Sequence, residues 1–237
     1  MAESLSSICP VIAFDPDKKI FLIDDDTLGF GFLCTPLPGS TESLESQVQS
    51  LLSTEMPKGS MMSFMLYRSP DCDYILDNML AMRANHMHPL LTPLIIDRVN
   101  FLRYHTRNHI TANRNGSFYD SGLIVDVKLI ITVKVPVSSG IDPKEAELQS
   151  VSELRDKVQS ALNECGFGPY QMTANQWIRV MSTLFNWSDN ASWRNTVTNW
   201  QDDIPLNEQW YDNDSDLDDT DPTRSFIGIG TRYSPKD

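Results

Sequence analysis

The chain has 237 residues, 41% of them hydrophobic, which is enough for a packed core, and 19 Lys and Arg against 32 Asp and Glu give a formal net charge of -13. That balance argues against a nucleic-acid surface, whose affinity comes largely from neutralising phosphates. No stretch approaches the roughly 18 apolar residues of a membrane span, and the first ten residues lack the basic start and long apolar run of a signal peptide.

Residues 19–23 and 28–34 are two apolar runs joined by the acidic turn Asp24, Asp25, Asp26 and Thr27, a hairpin pattern. The two-residue strand period puts Leu28, Phe30, Phe32 and Cys34 on one face and leaves Gly29 and Gly31 on the other, where glycine admits a close neighbour. Gly29 and Gly31 also imitate the start of a dinucleotide fingerprint. The third glycine position holds Cys34, however, and Pro36 and Pro38 separate the segment from the next helix, so no glycine turn opens into a helix N-terminus.

A helix is expected over residues 41–53, with Leu44, Val48, Leu51 and Leu52 on one stripe. Residues 61–67 read as a strand apolar on both faces, expected to be central and covered on both sides. Residues 73–83 form a short helix with Ile75, Leu76, Met79 and Met82 inward. A second helix is capped by Thr92 with Pro93 at its first position, and its stripe of Ile95, Ile96, Val99 and Leu102 runs towards His109.

The longest strand signal spans residues 122–135, with Leu123 to Val135 alternating on one face and Asp126, Lys128, Thr132 and Lys134 making the other at least partly wet. A helix over residues 144–165 is stopped by Gly166, and Thr173 caps another over residues 174–186. From residue 188 the chain turns polar and acidic. Between Arg194 and Arg224 there are nine acids and no base, so most of the net charge belongs to that one segment. Trp193, Trp200 and Trp210 interrupt it and either anchor a partner or dock back on their own domain. The fold class is α+β: a mixed, largely antiparallel sheet packed with several helices, plus an acidic irregular C-terminal segment. Residues 8–187 form the domain, and residues 188–237 an acidic excursion or linker with a short strand.

Chemical motifs are weak. His86 with His88 and His105 with His109 are the candidate metal ligands, the second pair at i, i+4, but the glutamate of a metalloprotease helix is missing between them. Asp212, Asp214 and Asp216 open like a calcium loop, which then fails at Leu217, where glycine is wanted, and at Thr223, where a bidentate glutamate belongs. They read as a solvated acidic connector. Cys9, Cys34, Cys72 and Cys165 include no CxxC pair and read as reduced thiols. Met61, Met62, Met65, Met79, Met82 and Met87 read as core filling rather than as an adaptable binding surface. The 237 residues contain no GxSxG and no GxxxxGK followed by Ser or Thr.

Several blocks occur together in order: the acidic turn with LGFGF, PLPG at 36–39, MPKGSMMSFMLYRSPD at 56–71, TPLIIDRVNFLRY at 92–104, LFNW at 184–187 and IPLNEQ at 204–209. Over about residues 8–233 the chain thereby resembles the N-terminal region of TraC proteins, the F-type conjugation ATPases of type IV secretion and pilus assembly. The resemblance implies a non-catalytic assembly domain in the bacterial cytoplasm, held at the inner membrane through partners. Those partners would be inner-membrane secretion components and the protein's own motor domain, with homo-oligomers in the full-length protein and no direct contact with nucleic acid. ATP and Mg would belong to the motor domain, expected beyond RYSPKD, so no catalytic, cofactor-binding or metal residue is carried over. The surfaces expected to carry contacts are Trp193, Trp200 and Trp210 with Asp212, Asp214 and Asp216, and the wet face of the long strand. The rival readings are a metalloenzyme using the four histidines and a freestanding acidic interaction module.

Overall fold

The computed structural model describes residues 9–228 except 38, 40–41, 54, 85–87, 115–116, 121, 187–190, 212–215 and 222–223. Its strands are β1 (Val11–Asp15), β2 (Ile20–Ile23), β3 (Thr27–Cys34), β4 (Met61–Ser69), β5 (Thr111–Arg114), β6 (Ser117–Asp120), β7 (Asp126–Pro136), β8 (Tyr170–Gln171), β9 (Asp216–Asp221) and β10 (Arg224–Gly228). The α-helices are α1 (Glu42–Leu52), α2 (Asp73–Ala84), α3 (Leu91–His105), α4 (Glu145–Glu164) and α5 (Ala174–Phe185). The mixed α+β class expected from the sequence is the one observed.

Two compact units divide the chain: residues 1–67 with 128–237, and residues 68–127. The main sheet runs β1-β2-β3-β7-β4, and β8 joins β3 beside the end of β2. β3 pairs antiparallel with β2 through Leu28↔Leu22 and Gly29↔Phe21, and with β8 through Phe32↔Gln171 and Leu33↔Tyr170. Its other side pairs with β7 along its whole length, from Thr27↔Pro136 to Cys34↔Leu129. Gly31 lies where the shared edge passes from β2 to β8, and its carbonyl accepts from the Met172 N–H at 2.8 Å. A Cβ on Gly31 would stand 3.4 Å from Met172 Sδ, and one on Gly29 3.0 Å from Ile23 Cδ1. Both glycines therefore do admit close neighbours.

The strand period sorts two cores onto the two faces of this sheet. Leu28, Phe30, Phe32 and Cys34 of β3 meet Ile131, Val133 and Val135 of β7, and Leu51 of α1 with Val151, Leu154, Val158 and Leu162 of α4 covers them. On the opposite face Phe14, Phe21, Tyr67 and Ile130 pack with Ala174, Ile178 and Val180 of α5 and with Leu206 and Trp210. That face of β7 is wet only in part, since Ile130 is buried, Thr132 is exposed and Lys134 pairs with Asp25. α4 opens with the Glu147 carboxylate accepting from the Lys144 N–H at 3.0 Å and stops at Gly166, whose φ is +79°. α5 is capped as expected, with Thr173 N–H donating to Gln176 Oε1 at 2.9 Å and Gln176 N–H to Thr173 Oγ1 at 3.4 Å.

Two expectations about this unit are overturned: Leu52, placed on the apolar stripe of α1, is 60% exposed beside the buried Leu51, and the second concerns β4. β4 is not a central covered strand: it ends the sheet order, with Leu66 68% and Met61 56% exposed and Phe64 and Met65 exposed as well. An apolar run with no alternation looks the same whether a layer covers it or not, and among the described residues none buries Met61, Phe64, Met65 or Leu66. The core-filling reading of Met61 and Met65 fails with it.

In the unit formed by residues 68–127, α2 and α3 pack around Cys72, Leu76 and Val99, joined by Met79, Leu80, Ile95, Leu102 and Ile124. Arg103 ties the helices through Asp77 at 2.9 Å and Asp73 at 3.5 Å. Ile75, Met82 and Ile96, expected inward, are exposed: the core of this unit is centred on Cys72, Leu76 and Val99, and apolar stripes wider than that core leave their flanks in water. α3 begins at Leu91, so Pro93 occupies its third position, where the missing N–H is still free of intrahelical duty. Thr92 Oγ1 accepts from the His88 N–H at 2.9 Å instead of capping from outside the helix. Among the described residues no helix is long and apolar enough to cross a membrane.

Candidate functional site

The described histidines are held apart by local bonds. α3 stops at His105, so the i, i+4 spacing to His109 is not a helical one and does not stack the two rings. His105 Nδ1 lies 2.9 Å from the Asn108 carbonyl, with its ring against Phe101 and Tyr104. His109 Nδ1 lies 2.6 Å from Asp120 Oδ2. Donation from the Gly122 N–H, followed by the His109 contact, holds the Asp120 carboxyl below the usual carboxylate range. His88 Nδ1 accepts from the Leu90 N–H at 3.2 Å at the entry to α3. His86 lies outside the described residues. Among those described, no group of three or more His, Cys, Asp or Glu side chains could hold a metal ion.

The acidic segment is partly outside the described residues, which include neither Asp212 nor Asp214. Asp216 opens β9, whose backbone pairs with β10 from Asp216↔Gly228 to Asp221↔Arg224. The stretch that imitates a calcium loop thus continues into an extended strand rather than a turn.

The tryptophans fasten residues 191–211 to the sheet and α5. Trp193 is 4% exposed, donates its Nε1–H to the Asn186 carbonyl at 2.7 Å and has the guanidiniums of Arg194 at 4.3 Å and Arg179 at 5.1 Å over its ring. Trp200 meets Phe14 edge-on at 5.6 Å, and its backbone N–H donates to Asn175 Oδ1 at 2.6 Å. Trp210 is 2% exposed, meets the Phe185 ring at 4.8 Å with the planes tilted by 39°, and its carbonyl accepts from Ser182 Oγ at 2.7 Å. A ring this deeply buried in its own fold offers no surface to a partner, so Trp193 and Trp210 are internal anchors here.

The exposed apolar surface lies elsewhere, in places the sequence reading did not single out. α3 carries two stripes at helical spacing: Ile95, Val99 and Leu102 point inward, while Leu94, Phe101 and Tyr104 stand outward, continued by Leu90 just before the helix. Leu90 is 73% and Tyr104 61% exposed. α2 adds Tyr74, Ile75 and Met82, all exposed. The spacing 90, 94, 101, 104 was legible as a second stripe, but an apolar residue on a helix is read by default as core. Residues 68–127 hold six Arg, six Asp and no Lys or Glu, so this unit is neutral and the whole net charge of -13 falls on the other. A charge-balanced unit that exposes this many large apolar side chains has the composition of a contact surface rather than of a solvated one.

A family model described as TraC protein matches residues 5–228, covering both units. No curated protein and no solved structure matches the chain. With a match over nearly its whole length, the chain belongs to the TraC protein family.

Proposed function

We propose that this chain is the non-catalytic assembly domain of a conjugation ATPase, docking the motor of a type IV secretion system onto inner-membrane components of the pilus-assembly machinery. The observation that carries the reading is family membership across residues 5–228, which supports a role in conjugation and pilus assembly. The finer role is supported by chemistry of two kinds. The 237 residues contain no GxxxxGK followed by Ser or Thr, so they carry no P-loop of their own, and in this reading ATP and Mg are bound by a separate motor domain. The outward stripe of α3 with Tyr74, Ile75 and Met82 of α2 supplies an apolar, charge-balanced face suited to a protein partner and not to nucleic acid. In this reading the protein works in the bacterial cytoplasm and reaches the inner membrane through its partners.

The test has two arms. Purified chain is assayed for ATP turnover, and donor cells carrying Leu94→Asp with Phe101→Asp in the full-length protein are scored for conjugation and for recovery of the protein with inner-membrane secretion components. The expected results are turnover at background, and loss of both conjugation and co-recovery at unchanged protein level. ATP hydrolysis abolished by substitutions within these 237 residues would sink the proposal, as would full conjugation by the double variant.

A further inference from the structure

The two edges of the main sheet are built differently. β1 is short, is followed by Pro16, Asp17, Lys18 and Lys19, and is covered by the turn Leu206–Glu208, whose Leu206 packs with Phe14. β4 has nine residues, no proline, no lysine and no acid, and among the described strands its neighbour is β7 alone. Proteins normally blunt such an edge with charge, proline or a covering loop, because its unpaired N–H and C=O groups template another strand. Here the middle of the edge carries exposed Phe64, Met65 and Leu66 instead.

We propose that β4 is a homotypic docking edge, on which a second copy of this chain adds its own β4 in antiparallel pairing about a two-fold axis at Met65. The sequence of the strand is self-complementary in that register. Met65 faces the partner's Met65, Phe64 faces Leu66 and Leu66 faces Phe64, so one face gains an apolar cluster of four side chains and the other a methionine pair. Charge favours the antiparallel sense. Lys58 precedes the strand and Asp71 follows it, so opposite directions set the lysine end of one copy beside the aspartate end of the other, whereas a parallel pair would bring like ends together. Arg68, the one charge within β4, stands opposite Met62 of the second copy, about 20 Å from its own counterpart at the usual strand rise. An otherwise acidic chain thereby meets itself along a strip that carries no acid. The inference goes beyond the docking role proposed above and stands without it.

The test uses the whole 237-residue chain. Sedimentation equilibrium is expected to show a concentration-dependent dimer, weakened at least about tenfold by Leu66→Lys, whose thermal melt should match the parent because the position is exposed. Met65→Cys should form a disulfide-linked dimer under mild oxidant, since directly opposed Cβ atoms lie about 4.5–5.5 Å apart. Met61→Cys should not, its two copies being about 27 Å apart in this register. The unsubstituted chain controls for its four native cysteines. A monomer at all concentrations, dimerisation untouched by Leu66→Lys, or equal cross-linking at 61 and 65 would each overturn the proposal. So would a monomer that engages a different protein through β4. Should the lysine variant fail to fold, the cysteine pair decides alone.

Discussion

Tyr67 Oη donates to Thr183 Oγ1 at 2.9 Å inside the core, joining β4 to α5 across 116 residues of chain. Thr183 in turn donates to the Val180 carbonyl at 3.0 Å, so its hydroxyl both accepts and donates while almost wholly buried. Tyr67→Phe removes one bond and leaves the other, and should cost about 0.5–1.5 kcal/mol in urea unfolding. Thr183→Val removes both and should cost more. Because the two groups share a bond, the double variant should lose less than the sum of the singles.

Glu147 gathers the Ser139 hydroxyl, the Lys144 N–H and both the hydroxyl and N–H of Ser138 on one carboxylate. Donation from Ser139, then from Lys144 and Ser138, pushes its pKa down to about 2. A depressed carboxylate stabilises the fold fully above its unfolded value near 4.5, and the contribution is lost as pH falls through the folded value. Melting temperature should therefore drop between about pH 5 and pH 2, and Glu147→Gln should melt lower at pH 7 with a shallower drop across that window. Parallel pH profiles for the two proteins would show the idea wrong.

The two strand glycines should respond differently to substitution. Gly31→Ala adds a methyl at ordinary contact distance from Met172 and Thr132, and should change stability by less than about 1 kcal/mol. Gly29→Val adds bulk where a Cβ already meets Ile23 Cδ1 at 3.0 Å and the Val133 carbonyl at 3.4 Å, so a loss of about 1–3 kcal/mol is expected. Denaturant midpoints of the two variants decide the order.

Trp210 closes the core beneath α5, and Trp210→Ala should cost about 3–5 kcal/mol. Hydrogen exchange in residues 191–211 should accelerate together, because the segment is held by the same contacts. By contrast, Tyr104→Ser on the outward stripe of α3 should leave stability within about 0.5 kcal/mol. If the tryptophan variant exchanged like the parent, Trp210 would not be the anchor of that segment.

Local chemistry was legible in the residues themselves. The acidic turn before LGFGF, the inward set Leu28, Phe30, Phe32 and Cys34, the helix stopped at Gly166 and the Thr173 cap all follow from rules spanning a few residues, and the structure repeats them. The order of blocks that marked the TraC family was likewise a property of the sequence alone. Tertiary structure decided what distant segments do to one another. Period two says which β4 residues share a face, but not that β4 ends the sheet or that Leu66 faces water, since sheet order is set by pairing across tens of residues. The same holds for β8, two residues that join β3 only because α4 returns the chain beside it, and for Trp193 and Trp210. Polar neighbours in sequence left those tryptophans open to either a partner or their own domain, while the apolar groups that bury Trp210 come from α5 and the sheet. Burial is a sum over spatial neighbours, and those neighbours exist only once the chain has folded.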